Sequence, residues 1–196
     1  MLMMQLIQQL AACKSYDFSG WFLAEASLCL EGKAHSFSLE ICRKTERRAV
    51  LQVLGWDEGG RCRQSLTVLL VKPLSLSREI ISAEAEGAPD GEVLWRHVFS
   101  DEEIQDYLAV SGDVNEIHRG KRAVVPGLCF LERLLSSLDE DGLRWRCKFR
   151  KPVYAGEELC LVETAAGIEG YVGGRLVNTI ERLPYKERVH DEINNI

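Results

Sequence analysis

The stretch of the sequence with the clearest chemical potential is Ser111–His118, which holds a carboxylate and an imidazole five residues apart. Gly112 and Asn115 belong to the same stretch, and both residue types tolerate a sharply bent backbone. Such a bend brings Asp113 and His118 toward one small volume. The carboxylate only accepts hydrogen bonds, whereas the imidazole takes or gives a proton near neutral pH. Together they can hold one water molecule and activate it.

An Asp and a His at this spacing also occur in ordinary surface loops, so the neighbouring elements decide what the pattern means. Ser100 and Glu103 form a capping box that predicts the start of a helix, and Ser111-Gly112 predicts its end. Four apolar residues are expected on the buried face of this helix: Ile104, Tyr107, Leu108 and Val110. The Asp113 segment therefore follows directly on a helix end.

A second helix is predicted to begin at Pro126, a residue type favoured at the first helical position. Five leucines recur at helical spacing: Leu128, Leu131, Leu134, Leu135 and Leu138. Proline has no amide hydrogen, so Gly127 supplies the first free backbone donor of a turn that carries about +0.5 charge. One such donor to an enolate oxygen typically lowers a barrier by about 3 kcal/mol. The alternative is that Pro-Gly only opens a buried helix.

The overall composition is that of a globular protein with 196 residues, 46% hydrophobic and 28% charged. A net charge of −6 argues against a general nucleic-acid binder. Seven scattered cysteines without a CxxC pair, and no His at zinc-ligand spacing, predict free thiols in a reducing compartment and no metal site. No apolar run is long enough to span a membrane. Residues 1–13 are expected to form an amphipathic helix and not a signal peptide, which favours the cytoplasm.

The first half of the chain alternates apolar and polar residues in a way that is typical of half-buried antiparallel strands. Four strands are predicted: Trp21–Leu30, His35–Lys44, Ala49–Trp56 and Arg61–Lys72. The sequence from Leu74 to Gly91 is rich in turn formers and is interpreted as a connection. The second half adds strands at Glu92–Phe99, Leu143–Val153 and Leu159–Ala165, and one or two more within Gly167–Arg182.

One predicted strand carries a cationic stripe opposite an apolar one. Its basic residues are Arg144, Arg146, Lys148 and Arg150. Charged residues often form a solvated strand face, and this is the simpler interpretation. The functional alternative is a surface for an anionic substrate arm, such as the phosphates of coenzyme A, or for an acidic carrier protein.

Three pieces of the second half, in order, resemble the MaoC-like (R)-specific enoyl-CoA hydratase and dehydratase family. Tyr107–His118 resembles the hydratase signature of that family. Val124–Leu128 resembles the start of its central helix, and Phe149–Leu159 the strand and turn that follow. The resemblance implies an α+β hotdog fold, in which an antiparallel sheet wraps around a central helix. A double hotdog is expected, with a degenerate first half at 1–77, a linker at 78–91 and the MaoC-like unit at 92–196.

The resemblance also implies a cofactor-free reaction that interconverts trans-2-enoyl and (R)-3-hydroxyacyl thioesters of coenzyme A or acyl carrier protein. Asp113 and His118 would activate water, and the Gly127 N–H would hold the thioester oxygen. Four further residues are assigned to substrate binding: Asn115, Arg119, Lys121 and Arg122. Among these, Asn115 is expected to order the loop more than to do chemistry.

The sequence departs from the family pattern in ways that keep two other functions open. Glu116 stands where the family usually has Pro, the segment between His118 and Gly127 is shorter, and Pro126 replaces a common His. A non-catalytic acyl-thioester binder or partner subunit would tolerate these changes. A thioesterase is the third option, because hotdog folds support that activity too. Hotdog units usually pair, so an isolated half would expose a sheet edge, and dimerisation of the whole chain is a further expectation.

Overall fold

The helices and strands follow the predicted order closely. The computed structural model describes residues 3–13, 17–73, 91–137, 143–165 and 167–184. Its helices are α1 Met4–Ala11, α2 Asp101–Ser111 and α3 Gly127–Ser137. Its strands are β1 Phe22–Leu30, β2 Ser36–Lys44, β3 Arg48–Trp56, β4 Cys62–Val71, β5 Glu92–Val98, β6 Leu143–Phe149, β7 Glu158–Thr164, β8 Gly167–Val172 and β9 Arg175–Arg182. Most of the predicted linker, 74–90, and the chain after residue 184 lie outside the described residues.

All nine strands form one antiparallel sheet in the order β2-β3-β4-β1-β6-β9-β8-β7-β5. The centre of the sheet is the pairing of β1 with β6, where Ala26 lies opposite Cys147 and Leu28 opposite Trp145. These four side chains are buried. The two halves of the chain therefore share one sheet and one hydrophobic core instead of folding around separate ones.

The two halves repeat the same topology outward from this central pair. In the first half, α1 precedes four strands that lie in the order β1, β4, β3, β2 from the centre. In the second half, α3 precedes four strands in the matching order β6, β9, β8, β7, and β5 adds one more strand at the edge. Each helix therefore precedes, along the chain, the strand that its half contributes to the central pair.

The apolar side chains of α1 and α3 explain why these segments are helical and where they pack. Met3, Leu6 and Ile7 recur at helical spacing and are almost completely buried, which confirms the predicted amphipathic helix. Along α3, Leu131, Leu134 and Leu135 are buried in the same core. Leu138, the last of the five leucines predicted on this helix, lies outside the described residues.

Three details of the predicted elements were wrong. Val110 is 44% exposed. Ser111 lies on the buried face of α2 instead, because it comes seven residues after Ile104 and three after Leu108. The helix predicted to start at Pro126 begins one residue later, with the Pro126 carbonyl accepting its first hydrogen bond. The strand predicted to reach Val153 ends at Phe149, because the next two N–H groups both turn to one carbonyl, that of Val177.

Candidate active site

The loop that carries the candidate carboxylate is set by the end of α2. Gly112 has φ 77°, a left-handed conformation that favours glycine, and its N–H donates to the Leu108 carbonyl. The chain then bends away from the helix, as predicted. The backbone N–H of Asn115 donates to Asp113 Oδ1 at 2.9 Å. One carboxylate oxygen of Asp113 is therefore held by the loop, and Oδ2 is left for another partner.

His118 ends a short 3₁₀ turn, Glu116–His118, and its ring is buried, with 7% of the residue exposed. Its Nδ1 lies 2.7 Å from the carbonyl oxygen of Val124. A carbonyl only accepts, so Nδ1 carries the hydrogen and Nε2 of the neutral ring has a free lone pair. Val124 is itself held in place by an antiparallel bridge to Tyr154.

Nε2 of His118 lies 3.6 Å from Oδ2 of Asp113. This distance is too long for a good direct hydrogen bond, but it suits two groups that share one small oxygen-containing molecule. The predicted meeting of these two side chains is therefore confirmed by the geometry.

Burial and charge act on His118 in opposite directions. Burial of the ring lowers the pKa of His118 below its ordinary value of 6.5 and is the larger effect. The Asp113 carboxylate raises the same pKa, as does the hydrogen bond to Val124. The net direction is downward, so the imidazole is mostly neutral at pH 7. A neutral imidazole with a free Nε2 is ready to accept a proton.

Gly127 opens α3 with a backbone N–H that has no acceptor among the described residues. A side chain at this position has no room. An added Cβ would lie 2.8 Å from the ring of Phe149 and 2.9 Å from Cδ2 of Leu23. Gly127 also lines the cavity between the two halves, where a ligand oxygen can meet the N–H and the positive end of the helix.

Asn115 uses its whole side chain to join the loop to the first half of the chain. Its Nδ2 donates to the Trp21 carbonyl at 2.9 Å, and its Oδ1 accepts from the Gly20 N–H at 2.9 Å. The same oxygen also lies at 3.5 Å from the Ile117 N–H. This supports the expectation that Asn115 orders the loop. Its assignment to substrate binding stays a prediction, although Asn115 does line the cavity.

The three basic residues after His118 differ in whether they line the cavity. Arg119 and Lys121 are exposed and do not line the cavity. Arg122 does line it, and its guanidinium lies 4.2 Å from the centre of the Tyr154 ring. A cation stacked on an aromatic ring keeps its charge and is held in one orientation. Arg122 is therefore the member of this group best placed to meet an anion.

One cavity of about 910 Å³ is lined by both halves of the chain and by all of the predicted site residues except Arg119 and Lys121. Its walls bring Asp113, His118 and Gly127 together. The first half contributes mostly apolar side chains, among them Ile7, Leu10, Phe18, Leu51 and Leu70. A volume in this range suits a small organic ligand, and the apolar walls favour one with a hydrocarbon part.

The predicted cationic stripe on β6 is largely taken up by ion pairs. Arg144 Nε lies 3.6 Å from a carboxylate oxygen of Glu31, and Arg146 Nε lies 3.4 Å from one of Glu25. These contacts cross the centre of the sheet, so they favour the structural interpretation for both arginines. Arg150 alone of the stripe lines the cavity.

Sequence reasoning missed two polar residues of the cavity, Arg175 and Asn178, which come from β9. Arg175 pairs with Glu157 at 3.3 Å. Their location at the cavity could not be predicted, because a bulge in the pairing of β8 with β9 shifts the register between Gly170 and Tyr171. The alternation of residues along the sequence does not reveal such a shift.

Two other sets of side chains bear on the chemistry. All seven cysteines are free thiols. Within the described residues, no group of three or more His, Cys, Asp or Glu side chains is arranged to hold a metal ion. In the same part of the chain, no helix is long and apolar enough to cross a membrane.

Comparison with solved structures places this architecture among known folds. HtdX from Mycobacterium tuberculosis is 16% identical over 91% of this chain and 85% of its own, with a TM-score of 0.60. A MaoC-like dehydratase from Phytophthora capsici is 14% identical over 88% of this chain and 74% of its own, with a TM-score of 0.56. An acyl-ACP thioesterase from Bacteroides thetaiotaomicron is 12% identical over 82% and 74%, with a TM-score of 0.51.

These likenesses define the class of protein: the chain has an α+β hotdog fold. The resemblance to MaoC-like dehydratases seen in the sequence is thus confirmed at the level of the fold. No protein-family model and no curated protein matches the sequence. Enzymes of two different reaction types share the fold, so the activity must be argued from the site.

Proposed function

We propose that this protein is a hydro-lyase that interconverts trans-2-enoyl and (R)-3-hydroxyacyl thioesters and that it belongs with the MaoC-like hydratases and dehydratases. The observation that carries the proposal is the pair formed by His118 Nε2 and Asp113 Oδ2, 3.6 Å apart at the wall of a largely apolar cavity. The spacing suits one water molecule held between a base and a carboxylate. Gly127 supplies a backbone donor on the same wall.

In the hydration direction, the pair activates water for attack on the β-carbon of the enoyl thioester. As the water oxygen bonds to that carbon, its proton passes to Nε2 of His118. The electron pair of the double bond moves toward the thioester carbonyl and forms an enolate. A proton from the same His118–Asp113 pair then reaches the α-carbon, which restores the carbonyl. Dehydration follows these steps in reverse.

The enolate oxygen is the place where negative charge develops, and the Gly127 N–H would meet it there. The start of α3 adds its partial positive charge. Preorganised donors of this kind usually contribute about 3 kcal/mol each to lowering a barrier, because they need no reorganisation during the reaction. Phe149 and Leu23 leave no room for a side chain at this position, so the donor lies on a residue without a Cβ.

The cavity, the strand order and the free cysteines each add a finer feature to the proposal. The acyl chain would lie between the two halves, against the apolar residues of the first. The carrier, coenzyme A or acyl carrier protein, would present its anionic arm to the cationic residues of the cavity, among them Arg122 and Arg150. The matching strand order supports a double hotdog, and the described part of the first half has no counterpart of the edge strand β5. The free thiols fit a cytoplasmic protein.

The direct test mixes the purified protein with a short and a medium trans-2-enoyl-CoA. Loss of the absorbance of the conjugated thioester, without release of free thiol, is the expected result. Thiol release would identify a thioesterase instead, the second candidate that the likeness to acyl-ACP thioesterases supports. If neither occurs, the same assay with enoyl-acyl carrier protein separates a carrier-protein enzyme from a binding protein.

The lowered pKa of His118 predicts the pH dependence of hydration. The base must be neutral, so kcat/KM should be constant above pH 7 and fall in acid with a midpoint below 6.5. Asp113 raises this pKa, so the residual activity of Asp113→Asn should show a still lower midpoint. A pH profile of kcat/KM for both proteins checks the sign of each shift. A midpoint above 6.5 in the wild-type protein would contradict a base held neutral by burial.

A further inference from the structure

The cavity contains a buried amide that the proposed mechanism does not use. Asn178 on β9 is 2% exposed, and it lines the cavity. Its Oδ1 is buried without a hydrogen-bond partner among the described residues. A buried polar group without a partner is unusual because it has lost its bonds to water and gained none in the protein. Asn178 is thus a candidate for binding a polar group of the ligand.

The neighbours of Asn178 on the sheet keep its amide in this position. Asn178 lies opposite Phe149 on β6, and cross-strand partners point to the same face of a sheet. That face is the one on which the Phe149 ring approaches Gly127. On the other side Asn178 lies opposite Gly170 on β8, where an added Cβ would collide with its Oδ1. The amide therefore lies over a glycine that leaves it just enough room.

The surroundings of Asn178 indicate which part of a thioester ligand it would meet. Arg150 and Lys151 follow Phe149 directly, and both of their N–H groups donate to the carbonyl of Val177, at 2.8 and 3.2 Å. Their side chains line the same cavity. Around Phe149, this wall therefore brings together the start of α3, Asn178 and two cationic residues, of which Arg150 is exposed.

We infer that Asn178 recognises an amide of the phosphopantetheine arm that joins the acyl thioester to its carrier. In that arm, amide groups lie between the thioester sulfur and the phosphate. With the thioester oxygen at Gly127, an amide would meet Asn178 and the phosphate would meet the cations, because all of these groups lie around Phe149. An asparagine side chain offers one donor and one acceptor group, which match the C=O and N–H of an amide. This inference rests on the proposed function, because it takes the thioester oxygen to lie at Gly127.

The test compares binding of two hexanoyl thioesters that differ in the arm. Hexanoyl-pantetheine carries amides, whereas the hexanoyl thioester of ethanethiol carries none. Both are saturated, so they bind without being hydrated. In Asn178→Leu, which keeps the branching and the number of heavy atoms of the side chain, the Kd of hexanoyl-pantetheine is expected to rise at least tenfold, and that of the amide-free thioester less than twofold. Thr179→Val on the same strand is the matched control, because Thr179 points to the opposite face. It should change neither Kd.

A second variant guards against a general loss of structure. Gly170→Ala keeps Asn178 but displaces its amide, and it should reproduce the selective loss. Unliganded Asn178→Leu is expected to melt at the same temperature as the wild-type protein or higher, because the unpartnered amide is gone. Equal losses for both thioesters, or no loss for either, would overturn the inference, as would failure of the wild-type protein to bind hexanoyl-pantetheine.

The outcomes also separate this inference from the proposed function. If Asn178→Leu selectively weakens binding of hexanoyl-pantetheine but the wild-type protein hydrates no enoyl thioester, the inference would stand and the proposed hydro-lyase activity would be wrong. If the protein hydrates enoyl thioesters but Asn178→Leu shows no selective loss of binding, the proposed function would stand and this inference would be wrong. Hexanoyl-CoA and hexanoyl-acyl carrier protein share the arm, so the effect of the variant should appear with both. Whichever of these two ligands binds with the lower Kd identifies the carrier.

Discussion

Asp113→Asn is expected to lower kcat for hydration of an enoyl thioester by about 10²–10⁴-fold, the usual contribution of a positioned acid–base group. The asparagine has the same shape, and its Oδ1 can still accept the Asn115 N–H. The atom that changes is Oδ2, which faces Nε2 of His118. An amide NH₂ at that position donates and cannot accept the proton of a water molecule. The water would then lose one of its two acceptors.

His118→Ala should cause a loss of similar size, and the double variant should be little worse than either single one. Residues that act as one unit show such non-additivity, because removing either partner already disables the unit. Steady-state kinetics of the four proteins, with circular dichroism to confirm folding, is the measurement. Nearly wild-type turnover in both single variants would eliminate the pair as the catalytic centre.

The chain offers a matched control in a second His–carboxylate pair. His97 Nε2 lies 2.8 Å from Oε2 of Glu103, and neither residue lines the cavity. Glu103→Gln makes the same chemical change as Asp113→Asn at a site that the mechanism does not use. Its kcat should stay within about twofold of wild type. An equal loss in Glu103→Gln would mean that the effect of Asp113→Asn reflects general damage and not chemistry.

Asn115→Ala is expected to destabilise the protein and to lower its activity together. It removes the hydrogen bonds to the Trp21 carbonyl and the Gly20 N–H, which join the active-site loop to the first half. Two such bonds at about 1 kcal/mol each give a loss of roughly 2 kcal/mol in the free energy of unfolding. For a chain of this length, that corresponds to about 4–8 °C in melting temperature. Because the same loop holds Asp113, kcat/KM should fall by about tenfold.

A hydrogen bond within the neighbouring loop serves as the comparison. Asp17 Oδ1 accepts from the Ser19 N–H at 2.8 Å, in an exposed turn that does not join the halves. Asp17→Ala should cost well under 1 kcal/mol and leave kcat/KM unchanged, although Asp17 also lines the cavity. Thermal unfolding and kinetics of both variants distinguish a contact between halves from a local one. Equal effects in the two variants would count against Asn115 as a link between them.

The active-site loop therefore depends on the first half of the chain, which carries no signature of its own. Trp21 and Gly20 hold Asn115, and Leu23 closes one side of Gly127. These residues come from the start of β1 and the turn before it, next to the central pairing of the sheet. The first half is thus part of the candidate site and does more than cover a sheet edge.

The sequence alone determined the elements and the candidate chemistry. Local signals are short in range, and they predicted the capped helix, the bend at Gly112 and the strands of both halves. The spacing of Asp113 and His118 within one loop also restricts how far apart they can lie. This is why two residues could be predicted to meet before any fold was known.

Only the tertiary structure decided which other residues share the cavity. Asn178 reaches it because β9 lies between β6 and β8 and because a bulge shifts the register there. Arg122 faces the cavity while Arg119 and Lys121 do not, since the bridge between Val124 and Tyr154 sets the path of the chain. The physical reason is the same in each case. Pairing between strands far apart in sequence fixes which side chains meet, and no local pattern encodes that pairing.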